Sequence, residues 1–128
     1  MMLANNLIEI LEKFDFTDSI VTEVKWAENL LDLVVIVDYY WDIQDGREDT
    51  RLLKLVFKNC MKVDFQISKE LPIAIDETNK ESLFTIILFK ENTEYQYNFD
   101  KKKYLEIFTT DYLNPWLSVV CCEVTLEE

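Results

Sequence analysis

The chain has 128 residues, 49% of them hydrophobic and 13% aromatic, and sets 25 acidic against 13 basic side chains for a net charge of −12. This is one domain's length, with enough apolar surface to offset the entropy of ordering, which argues against disorder. The longest apolar run, residues 33–37, is far short of the roughly 18–20 residues of a membrane helix, and so acidic a field repels nucleic-acid phosphates and anionic membranes.

The acids are spread evenly, with 13 acids and 7 bases in residues 1–64 and 12 and 6 in residues 65–128. Acidity therefore belongs to the whole surface, where it serves solubility and speeds association with a basic partner. The start, MMLANNLIEILEKF, has no basic region ahead of its apolar residues, so it does not read as a signal peptide and the cytoplasm is the expected location. Cys60, Cys121 and Cys122 form no CxxC, and the chain has no histidine. The thiols are therefore expected to be reduced and largely buried, with no zinc site.

In chain order, residues 3–14 carry apolar side chains at 3, 7, 8, 10, 11 and 14, the spacing of a helix with one buried stripe. Strands follow. In SIVTEVKWA, Ile20, Thr22, Val24 and Trp26 alternate with Val21, Glu23 and Lys25. A two-residue turn at Glu28 and Asn29 leads into LLDLVVIVDYYW, with Trp26 expected opposite Leu31, Lys25 opposite Asp32 and Val24 opposite Leu33. As one strand, residues 31–41 set Tyr39 and Trp41 on the face of Leu33, Val35 and Val37, and Asp38, Tyr40 and Asp42 on the other.

After an acidic loop, RLLKLVFK reads as a strand with Leu53, Leu55 and Phe57 inward, and residues 59–61 as a bulge or corner. KVDFQI alternates with Val63, Phe65 and Ile67 inward, and residues 69–81 form a polar loop in which Ile73 and Ile75 tuck against the body. LFTIILFK and EYQYNF make a second hairpin, with Tyr95, Tyr97 and Phe99 on one face. KKKYLEIFTTDYL fits a strand better than a helix, and SVVCCEVTL closes the chain as one strand. The sum is a single mainly β domain over residues 1–128. It has an N-terminal helix within 1–15 and an antiparallel body of about seven or eight strands over 18–126, as a β-sandwich or open barrel.

The absence of histidine removes histidine-based triads and histidine acid–base chemistry, leaving only the rarer lysine or carboxylate variants, and the single glycine removes a phosphate-cradling loop. Neither an enzyme nor a cofactor is expected. DYYWDIQDGRED, residues 38–49, concentrates five acids, three aromatics and the only glycine, Gly46. As a catalytic pair, Asp38 and Asp42 would lie roughly 13 Å apart along a strand, beyond glycosidase spacing. As metal ligands, Asp42, Asp45, Glu48 and Asp49 do not follow the EF-hand order. Aromatics beside acids suit protein recognition, which makes Asp38, Tyr40, Asp42, Asp45, Glu48 and Asp49, with Trp116 of the NPW segment, the candidate contact residues for a basic protein partner. The competing reading is an ordinary solvated loop with Tyr39 and Trp41 in the core. As exposed loop acids, Asp42 and Asp45 are expected to be dispensable for stability.

Three stretches also carry a resemblance: residues 14–24, where Asp18 and Ser19 precede Val21 and Val24; LKLVFKNCMKVDF, residues 53–65; and a late pairing of Y-x-Y-x-F at 95–99 with L-E-I at 105–107. In order and spacing the chain resembles a group of small bacterial proteins, some of them assigned as immunity proteins of polymorphic toxin systems. That group often has a histidine before the Asp-Ser pair, where this chain has Thr17. The resemblance implies a β-rich fold and a protein that binds and neutralises a toxin. A small-ligand-binding β domain and a scaffold protein are the alternatives from other classes. Dimerisation is one way such a fold protects its strand edges.

Overall fold

In the computed structural model, which describes residues 1–65, 84–93, 102–109 and 112–128, the strand-forming runs assemble into two antiparallel sheets. Nine strands lie among these residues: β1 Met2–Ala4, β2 Ile20–Trp26, β3 Leu33–Asp38, β4 Leu52–Lys58, β5 Lys62–Phe65, β6 Leu88–Glu91, β7 Lys103–Phe108, β8 Leu117–Cys121 and β9 Glu123–Glu127. The five-stranded sheet runs β1-β9-β4-β3-β2 and the four-stranded sheet β5-β8-β7-β6. The fold is thus mainly β and sandwich-like, with a helix α1, Leu7–Lys13, near the N-terminus. The polar loop at 69–81, Ile67, Ile73 and Ile75, and the strand expected to carry Tyr95, Tyr97 and Phe99 lie outside the described residues.

Period-two alternation builds the core. Leu33, Val35 and Val37 of β3, Leu53, Leu55 and Phe57 of β4, and Val124 and Leu126 of β9 turn one way and are buried. They pack against Leu105, Ile107, Leu117, Val119 and Cys121 of the other sheet in a single cluster. The opposite parity, Val34, Ile36 and Val56, forms a smaller separate cluster. Residues 103–108 are a strand, as their β-branched and aromatic content implied.

Helix α1 starts later than apolar spacing suggested. Asn6 caps it, its side-chain oxygen accepting the Glu9 N–H at 2.8 Å, and Leu7 and Ile10 are its buried residues. Met2–Ala4, ahead of the cap, become β1, paired with β9 at the far end of the chain. A second correction concerns the first hairpin. Trp26 faces Leu33, Lys25 faces Val34 and Val24 faces Val35, two residues away from the expected register. The turn is longer because Asn29 Oδ1 accepts the N–H groups of Leu31 and Asp32 and Leu30 adopts φ +61°, with Ala27 N–H bonded to Asp32 O. A register shift between Val21 and Glu23 leaves Thr22 as a bulge, so Val21, not Thr22, shares the inner face with Val24.

Residues 59–61 form a true corner, with Asn59 at φ +51°, and carry the chain from one sheet to the other. The closing run is two strands instead of one, because at Cys122 the chain crosses back beside that corner. Met61 N–H bonds Val120 O at 2.7 Å and Cys122 N–H bonds Lys58 O at 2.9 Å, so the two crossings brace each other. Phe65, expected inward, is exposed, and its ring meets Trp116 edge to face. The three cysteines are unpaired: Cys121 is buried and its thiol is pushed up to about 12 by desolvation, while Cys60 and Cys122 are half-buried.

Asp32 ties the hairpin turn to this corner. Its carboxylate accepts the Asn59 N–H at 3.0 Å and the Asn29 amide at 3.2 Å, with Lys58 Nζ at 3.5 Å. Burial works against its charge, but these donors outweigh that and hold the carboxyl below its ordinary range. Asp32→Ala leaves the Asn59 N–H without its acceptor, and we expect it to lower unfolding free energy by about 1–3 kcal/mol, measured by urea denaturation.

Candidate functional site

The stretch 38–49 leaves β3 at Asp38 and turns at once into a short helix, α2, Trp41–Gln44. The expected strand to residue 41 therefore stops three residues early. Its departure is fixed by bonds to the segment before β2. Tyr39 is buried, its hydroxyl accepting the Asp15 N–H at 3.1 Å while its ring packs edge to face on Phe14 and Phe16. Ser19, fully buried, accepts the Tyr40 N–H at 3.1 Å, and Trp41 Nε1 donates to Thr17 O at 2.9 Å.

The turn into α2 rotates Asp42 away from the face it would share with Asp38 on a continuous strand. Asp42 is wholly buried, and this corrects its expected place among exposed contact acids. Its two carboxylate oxygens take a bidentate fork from Arg51, with Nη2 to Oδ1 at 2.8 Å and Nε to Oδ2 at 3.0 Å. The Arg51 N–H adds a bond at 2.8 Å and Arg47 Nε lies 3.4 Å away. Desolvation opposes ionisation of Asp42, yet the side-chain and backbone bonds from Arg51 prevail and hold its carboxyl below the ordinary carboxylate range. The loop is closed further by Arg47 N–H to Asp42 O at 3.0 Å and Tyr39 N–H to Arg51 O at 2.9 Å. Gly46 turns it at φ +93°, a conformation open chiefly to glycine.

With Asp42 inside, the solvent face of the stretch carries Tyr40, Ile43, Asp45, Glu48 and Asp49, together with Gln44, Gly46 and Arg47, all exposed. Asp38 is half-buried beside Ile20 and Leu52, and its Oδ1 is buried without a hydrogen-bond partner. Leu52, next to it on β4, is 56% exposed. Trp116 does not join this surface: it belongs to the segment entering β8 and packs edge to face on Phe65 and Phe84. Sequence reasoning left out Arg51, Arg47 and Ile43. An arginine opening the strand directly after an acidic loop, and one isoleucine inside that loop, were the available signals.

Among the described residues no group of three or more acidic or thiol side chains converges as a metal site, and no helix is long and apolar enough to cross a membrane. No protein-family model matches the chain, and no curated protein matches it either.

Removing a partner from a buried ion pair strands a charge, so Asp42→Ala should cost about 3–5 kcal/mol, while Asp45→Asn, at an exposed position, should stay within about 0.5 kcal/mol. Thermal and urea unfolding of the two variants check this. The pH dependence follows from the same geometry. Asp42 and Asp32 sit lower in the folded chain than the ordinary 3.8. Their contribution is therefore complete above that value and is lost as pH falls through the folded values. Unfolding free energy measured from neutral pH downward should show this acid limb, and Asp42→Asn should flatten it.

Proposed function

We propose that the chain is a non-catalytic, acidic protein-binding module that docks α2 and the loop through Asp49 onto a basic surface of a partner protein. The immunity role implied by the family resemblance is the specific form of this reading, with the partner a toxin whose basic cleft is covered. The observation that carries it is the division of charge within the stretch. Asp42 engages Arg51 in the interior and the half-exposed Arg47 at the surface, so Asp45, Glu48 and Asp49, exposed beside Tyr40 and Ile43, leave the face net acidic. A prefolded acidic rim around apolar contacts lowers the ordering cost of binding and complements Lys- and Arg-rich surfaces. The whole-chain charge of −12 speeds the encounter. Unpaired thiols accord with work in the cytoplasm.

The test begins with the gene neighbourhood, where a toxin gene directly upstream supplies the partner. Association kinetics of the purified pair should slow steeply as salt rises. The triple variant Asp45→Asn, Glu48→Gln, Asp49→Asn should slow association roughly ten-fold, with dissociation and melting temperature little changed. Association indifferent to salt and to the triple variant would contradict the reading.

A further inference from the structure

The five-stranded sheet ends at β2, and among the described residues only the start of that edge is covered. A bridge between Ile20 and Thr85, with Asp18 N–H to Ile86 O and Ile86 N–H to Ser19 O at 2.8 Å each, covers its first residues. Beyond it, no backbone partner flanks the outer side of β2 among the described residues, and Thr22, Glu23, Lys25 and Trp26 are exposed. An open edge of this length is a template for another strand. Glu23 and Lys25 lie on one face of it, opposite Ile36 and Val34, 3.8 Å apart and each 53% exposed.

We propose that the strand taking this edge is β2 of a second copy, paired antiparallel about a two-fold axis at Val24. This interface is independent of the loop assigned above. The axis sets Glu23 of each copy against Lys25 of the other, and Thr22 against Trp26, so one pattern is complementary to itself. Moving the axis one residue either way brings Glu23 against Glu23 or Lys25 against Lys25, so charge selects a single register. On the inner face the half-buried Val24 meets its own copy. Trp26, 45% exposed at the end of the edge, gains cover beside Thr22. Lys25 and the Thr22 bulge discourage indiscriminate pairing, which leaves the charge-matched register as the permitted one. With −12 on each copy, association needs enough salt to screen the mutual repulsion.

Sedimentation velocity at physiological salt, from micromolar to several hundred micromolar protein, tests this with charge swaps at exposed positions. The wild type should reach the mass of a dimer. Glu23→Lys and Lys25→Glu, each placing like charges across the axis twice, should weaken self-association roughly ten-fold or more, and the double swap should restore it. Near-ultraviolet circular dichroism confirms that each variant is folded. A wild type that stays monomeric throughout, single swaps that dimerise unchanged, or a double swap without recovery would each overturn the proposal.

Discussion

A carboxylate cannot be held away from water unless something replaces its hydration, and the architecture around Asp42 follows from that requirement. Arg51 supplies three of the donors, two from its guanidinium fork and one from its backbone, so a single residue at the mouth of β4 satisfies an acid from the opposite end of the loop. The pair ties α2 to the start of β4, while the bonds made by Tyr39, Ser19 and Trp41 set where β3 ends. It also reaches past the end of β9, because Arg51 Nη1 lies 3.5 Å from the Glu128 carboxylate, one residue beyond that strand. The loop of residues 42–51 thereby becomes a defined surface.

The remaining constraints act at the other end of the same sheet. Asp32 fastens the hairpin turn to the corner at residues 59–61, and the corner is braced by the crossing at Cys122. One buried acid organises each end of β3, and between them the strand needs only apolar alternation. The residues that recognise another protein in our reading are thus separated from those that hold the fold: Asp45, Glu48 and Asp49 carry charge outward, while Asp42 and Asp32 spend theirs on internal donors. Acidic composition by itself does not distinguish these two uses.

That distinction explains what the sequence made legible. Leu53, Leu55 and Phe57, or Leu105 and Ile107, can be assigned to an inner face because burial on one side of a sheet imposes a period of two. Local pattern does not reveal β1, whose partner β9 lies at the other end of the chain. The first hairpin illustrates degeneracy: a two-residue slip preserves which face each side chain occupies, and leucine stands opposite Trp26 in either register. Asn29 and the left-handed Leu30 decide between them. Asp42 failed for a related reason. Alternation extended past Asp38 set it outward, but the bonds from Ser19 and Tyr39 end the strand and turn it in. Trp116 was grouped with the loop by residue type alone, while its aromatic neighbours hold it in the other sheet.

The central claim is that Asp42 and Arg51 act as one unit in shaping the presented loop. A double-mutant cycle on the unfolding free energies of Asp42→Ala, Arg51→Ala and the combined variant isolates their coupling. The account predicts a coupling of about 2–3 kcal/mol, the double variant falling short of the sum of the single effects by that amount. Single effects that simply add, leaving a coupling near zero, would contradict it.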